Sequence, residues 1–279
     1  MGAQSSAAVG VSSSQQSASP AIPAEHPGVT ELFAVLAYGE ISAFYRLAEE
    51  AKLSPTLRGK VAVAEMAAAE MAHFRTLQQA MAERGVDVFD AMAPFVRALD
   101  DYHASTDPST WLESMVKFYV GDGIAADFYT EIAGALTPEV TAVVRDVLAE
   151  TSHSEFVVEE VRRAVRDNRS ERDRLTLWGR RLLGEAITQA QYVMAQRDEL
   201  TELVLSATGD LNGIAALFER MQASHAQRMG GARHLSGAGF AQSAAVGVPG
   251  RTHAALAWSG QHRTQGSEVG RGGQDRYFG

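Results

Sequence analysis

The sequence predicts an all-α protein, a four-helix bundle with two additional helices after it. Three observations predict this. Between residues 28 and 229, apolar side chains recur at three- and four-residue steps in six long segments. Alanine, leucine, glutamate and arginine dominate that stretch, and all are good helix formers. A long connection also separates the second segment from the third, as expected where a crossover joins two helical hairpins.

The first helix follows Thr30, a possible cap, and carries Leu32, Phe33, Leu36, Ala37, Phe44 and Leu47 on one stripe. One member of that stripe, Glu40, is charged. Ser54-Pro55 breaks the helix, and the second runs from there to a terminating glycine at Gly85. Its apolar face holds Val61, Ala64, Met66, Phe74, Leu77 and Met81, with Glu70 and His73 among them. The connection from Val86 to Ser109 should contain one short helix, Met92 to Tyr102. The third helix spans about Ser109 to Leu136 and contains Gly121-Asp122-Gly123, where each mid-helix glycine costs roughly 1 kcal/mol against alanine. Such an expense suggests a close backbone approach or a site. Thr137-Pro138 then opens a fourth helix, expected to be continuous to about Asp167. A fifth spans Glu171 to Ala207, and a sixth runs from Leu211 to Met229 behind an Asp210 cap.

Outside these segments the chain has no helical period. Residues 1–27 are rich in Ser, Ala, Gln, Gly and Pro and are expected to form a disordered N-terminal tail. Residues 230–279, rich in Gly, Ser, Gln, His and Arg, are expected to form a disordered or atypical C-terminal tail. The helical domain is therefore 28–229. With 46% hydrophobic residues the chain has ample material for a core. It has no cysteine, which excludes disulfides, iron–sulfur clusters, zinc ribbons and thiol nucleophiles. Any metal must sit on carboxylate and imidazole. A net charge of −9 argues against a general nucleic-acid coat protein. No apolar run approaches the roughly 20 residues that span a bilayer. The N-terminal stretch carries no Lys or Arg before Arg46 and no apolar signal core, so a cytoplasmic protein without a membrane partner is expected.

The chemistry lies in a repeated pattern. Glu70-Met71-Ala72-His73 and Glu150-Thr151-Ser152-His153 both read Glu-x-x-His. At i, i+3 the carboxylate and imidazole share one helix face, where both can reach a single ion. Chance alone supplies fewer than one such match in this composition, so position carries the weight. Glu40 precedes Glu70 by 30 residues, and Asp122 precedes Glu150 by 28. Tyr38-Gly39-Glu40 also parallels Val120-Gly121-Asp122. A bundle that holds two metal ions uses a Glu-x-x-His from each of two helices and one carboxylate from each of the others. The expected metal set is thus Glu40, Glu70, His73, Asp122, Glu150 and His153, with Asp127 the alternative to Asp122 on the third helix. Buried together, such carboxylates would repel one another unless cations joined them. No catalytic residue beyond these ligands is expected. Tyr38, Tyr119 and Tyr129 read as core aromatics near the same level, and His225 as a half-buried helix histidine outside the metal set.

The run from about Leu36 to Met229 resembles an actinobacterial family of ferritin-like proteins, itself similar to the tRNA 2-methylthio-N6-isopentenyladenosine hydroxylase. The residues that carry the likeness are Tyr38-Gly39-Glu40, Ala68 to His73, Tyr119 to Asp122, Glu150 to His153, Leu183 to Ala186 and His225 to Met229. The resemblance implies two iron ions (manganese being the alternative), carboxylate bridges, an electron donor and O2-dependent hydroxylation of tRNA or another organic substrate. Aspartate at 122 departs from the glutamate usual in such sites and shortens the reach by one methylene. The competing function is that of a ferroxidase or iron-handling protein without an organic substrate. The two extra helices weigh against it, because they would obstruct cage packing. An RNA partner would need a basic surface. Arg162, Arg163, Arg166, Arg169, Arg172, Arg174, Arg180 and Arg181 cluster at the junction of helices four and five, where acidic neighbours could also neutralise them.

Overall fold

The computed structural model describes residues 21–149 and 153–234, which contain ten α-helices and no strand. The first helix, α1 (Pro27–Leu53), begins ahead of Thr30. The His26 ring accepts from the Gly28 N–H, and Pro27 takes the first helical position, where no N–H is needed. After Ser54 and Pro55, Thr56 caps α2 (Leu57–Ala82) by accepting from Gly59 N at 3.0 Å. Gly85, with φ +72°, turns the chain after α2. The connection holds more helix than expected: α3 (Val88–Met92), a single 3₁₀ turn and α4 (Val96–Ser105). Asp87 starts it by accepting from the N–H groups of Phe89 and Asp90.

Thr110 caps α5 (Trp111–Ala133). The expected fourth helix is two pieces, α6 (Pro138–Val147) and α7 (His153–Val165). Leu148 closes α6, and Ala149 belongs to no helix, so the chain leaves the helix directly ahead of Glu150. The expected fifth helix is also divided, into α8 (Arg169–Gln196) and α9 (Asp198–Thr208), with Arg197 extended between them. The cause lies far away in sequence. Glu31 of α1 accepts from Leu200 N at 3.1 Å and pairs with Arg197, so a buried carboxylate supplies the cap at the start of α9. Replacing Glu31 by alanine should cost about 2 kcal/mol through the orphaned amide and unpaired guanidinium, visible as a lower denaturant midpoint. Finally, α10 (Leu211–His234) packs against α5, α8 and α9. Three helices, not two, therefore follow the bundle.

The bundle consists of α1, α2, α5 and the α6–α7 pair. The α1–α2 hairpin meets α5 through α1, while α2 meets both α6 and α7. Leu32, Phe33, Leu77, Met81, Ile132 and Leu203 are central to its largest apolar cluster. Residues 21–27 do not behave as a tail. Ile22 is buried and bridges Leu136 in parallel, donating to Ala135 O at 2.8 Å and accepting from Thr137 N at 3.2 Å. Residues 1–20 and 235–279, assigned by sequence to the tails, lie outside the described residues. No described helix is long and apolar enough to cross a membrane.

Candidate metal centre

Three of the expected ligands converge. Glu40 comes from α1, and Glu70 and His73 come from α2, one turn apart on the same face. His73 Nδ1 lies 3.3 Å from Glu40 Oε2 and 3.7 Å from Glu70 Oε2. One ligand atom from each residue falls within 4.8 Å of the other two, and among the described residues no other such group occurs. The α1–α2 hairpin builds this trio, because the break at Ser54-Pro55 folds the two long helices back along each other.

The electrostatics are those of a cation site held by a proton. Hydrogen bonds to Glu40 and then Glu70 push the His73 imidazole up to about 10, so Nδ1–H donates between two carboxylates. The imidazolium proton stands where a metal ion would otherwise balance the charge. Burial pushes the Glu40 carboxyl well above the usual range, against the opposing pull of His73. The donor set, two carboxylates and an imidazole, suits a divalent cation of hard or borderline character.

Asp122 lies outside the compact trio but borders the same cavity as Glu40 and Glu70. Burial, then the Glu70 charge, pushes its carboxyl up to about 8. Asp122 is nonetheless exposed, so solvent screening tempers that upward push. Asp127 is otherwise engaged, its two oxygens accepting from Arg228 of α10 at 2.9 and 2.6 Å. That fork also explains Gly123, since a Cβ there would stand 2.6 Å from Arg228 Nε. Gly121 needs another account: it borders the cavity, with open space where a side chain would be.

Glu150 lies outside the described residues, as does the side chain of His153, whose backbone opens α7. Tyr129 is buried near Glu40, which with burial raises its phenol, and Tyr38 donates to Asp100 at 2.8 Å. Tyr119 borders a small apolar cluster built from α1, α2, α5 and α7. His225 is buried rather than half-buried, and burial holds its imidazole below the usual range.

Residues 24–207 match the family described as "Ferritin-like domain, actinomycetes". The chain belongs to that family. No curated protein matches the sequence. The ferritin-like match includes the trio and Asp122 and ends near the C-terminus of α9, leaving α10 beyond it. A ferritin-like domain with a Glu–Glu–His group at its centre fits a metal-binding protein.

Sequence reasoning missed one polar group on the cavity wall. Lys117 of α5 is buried, and it borders the cavity with His103 of α4. The available signal was spacing: Lys117 follows Ser114 and precedes Gly121, Ile124 and Phe128 at helical steps along an otherwise apolar face.

Proposed function

We propose that this ferritin-like protein holds two metal ions, iron foremost and manganese as the alternative, and acts as a cytoplasmic O2-dependent hydroxylase. The observation that carries the reading is the trio: Glu40, Glu70 and His73 within bonding reach of one ion, beside a largely apolar cavity. Glu40, Glu70, His73 and Asp122 hold the ions on the α1, α2 and α5 side. Glu150 and His153 complete the set from the fourth bundle helix by the repeat in the sequence. A bound metal pair supplies the redox capacity for O2 activation. The protein's own part is to neutralise charge with the carboxylates, to give up the His73 proton on loading, and to keep water from the apolar cavity. Inserting one oxygen atom into a C–H bond while the other leaves as water consumes two electrons and two protons. A reductant protein must supply those electrons.

The cavity supports an organic substrate over pure iron handling, which needs no apolar chamber. The substrate implied by the resemblance is a modified tRNA base. The arginine surface gives it little support. Arg163 pairs with Glu159 and Glu160, Arg169 with Asp173, and Arg174 with Glu113 and Glu171. Arg172 and Arg181 donate to backbone carbonyls.

Metal analysis of protein from iron-replete cells should find about two iron or manganese ions per chain, and Glu70→Ala should remove at least one. Metal-free wild-type protein, or a Glu70→Ala variant with unchanged content, would sink the metal reading. In a deletion strain, accumulation of the unhydroxylated tRNA base would identify the tRNA substrate, and unchanged tRNA would remove it.

A further inference from the structure

The cavity beside the trio has a volume of about 300 Å³, and its walls come from α1, α2, α4, α5, α8, α9 and α10. That size lies at the lower end of pockets that enclose small organic molecules, roughly 300–1,000 Å³. Most of the lining is aliphatic or aromatic, with Leu99, Phe128, Ile187 and Phe218 representative. Besides Gln189, Tyr102 and Tyr129, two polar groups interrupt it. One is the carboxylate set of Glu40, Glu70 and Asp122. The other is the ammonium of Lys117, beside His103, which burial and then the neighbouring cations keep neutral. On α5, Lys117 and Asp122 are five residues apart, which places their Cα atoms roughly 7–8 Å apart along the helix axis.

The cationic group lacks a counter-ion. Lys117 is only 6% exposed, yet no carboxylate lies within ion-pair distance of it among the described residues. Its ammonium donates to Thr106 O at 2.7 Å and to His103 O at 3.5 Å, closing the C-terminal turn of α4, and it stands over the Tyr102 ring. Helix capping accounts for those two donors. It does not account for the third, or for the opening of Lys117 onto an apolar chamber. Nor does it explain why two further cationic or potentially cationic groups gather there. Arg46 Nε and His103 Nδ1 are buried without partners, and both side chains lie close enough to Lys117 to interact with its charge. Asp107 and Glu50 act on Lys117 only at longer range. Burial, then Arg46, brings the ammonium down to about 8, so it is mostly charged at neutral pH. A buried ammonium with no ion-pair partner, facing an apolar cavity, is costly unless an anion joins it.

We propose that the cavity binds a small amphiphilic anion, with an apolar body against the α5, α8 and α10 walls and a single carboxylate head received by Lys117. Arg46 adds positive potential behind that contact. A singly charged head matches a single ammonium; a phosphate dianion would need a fork of donors that the site does not present. The inference deepens the hydroxylase reading by naming its substrate class, but binding itself requires no metal.

The test is calorimetric titration of the full chain, stripped of metal by chelator, with decanoate, 1-decanol and decylamine at neutral pH. Decanoate should bind about tenfold or more tighter than decanol, as for a charge-assisted hydrogen bond, and decylamine no tighter than decanol. Lys117→Met should erase the preference for decanoate while leaving decanol binding unchanged. Should that variant fail to fold, the three-probe comparison on the wild type still decides. Equal or weaker binding of decanoate, a preference for decylamine, or a decanoate preference that survives in folded Lys117→Met overturns the proposal. Binding of undermodified tRNA with no decanoate binding overturns it in favour of a nucleobase. Metal content measured on the same preparation before stripping separates the two readings: two ions with no decanoate bound leaves the metal reading intact, and decanoate bound to a chain without metal does the reverse.

Discussion

Metal-free protein should lose thermal stability as the pH rises from about 6.5 to 8, and protein with excess manganese should lose less or gain. The sign follows from the groups at the centre. The folded-state pKa of His73 rises from 6.5 to about 10, so the stability it contributes is fully present below 6.5 and is lost as pH rises through 10. That of Asp122 rises from 3.8 to about 8, so the folded chain keeps a proton that the unfolded chain has already lost, and stability falls until pH 8. His103 and Lys117 have the opposite sign, but in other windows: the His103 contribution is settled above about 6.5, and that of Lys117 begins only near 8. Each retained proton is worth at most about 1.4 kcal/mol per pH unit, and less at Asp122, whose exposure lets solvent screen the charge. Metal binding displaces these protons, so its stabilisation grows with pH and opposes the slope. Melting curves with chelator and with manganese would test this. A metal-free melting temperature that is flat or rising across the window would refute it.

Gly28→Ala should be strongly destabilising for a change of one methyl group. A Cβ at Gly28 would stand 2.3 Å from Glu199 O and 2.6 Å from Leu203 Cβ. Neither neighbour is the end of a flexible side chain, so the start of α1 and α9 must move apart. Overpacking of this kind costs about 3 kcal/mol or more, a drop of roughly 6–12 °C in a domain of this size. Gly184→Ala is the control. It lies in the middle of α8 with nothing within 4 Å of the added methyl, and should stabilise by up to about 1 kcal/mol through helix propensity. Equal melting temperatures for the two variants would contradict the close approach at Gly28.

Much of this was readable from the chain because the causes are local. Glu40, Glu70 and His73 are carboxylates and an imidazole at helical spacing on apolar stripes, and they meet in the fold as that spacing requires. What escaped has non-local causes. The break at Arg197 depends on a carboxylate from α1, so nothing near 197 announces it. Asp127, the alternative to Asp122, is engaged by Arg228, about a hundred residues onward and two helices past α8. Lys117 was overlooked because a lone lysine on an apolar stripe ordinarily extends its ammonium to solvent, whereas here α4 covers it. The interruption after Val147 falls at Leu148 and Ala149, both good helix formers, and their propensity gave no warning of it.

The pairing of Ile22 with Leu136 bears on how the chain reaches its fold. Five helices lie between the two residues, so the segment made first acquires its partner only after α5 has been made. Until then the apolar side chain of Ile22 and its two main-chain hydrogen-bonding groups wait unsatisfied. The α5–α6 corner is in turn unfinished until that segment docks. Closing so long a loop is slow relative to forming a helical hairpin. This strand-like contact therefore belongs late in folding, as a clasp that closes over helices already assembled.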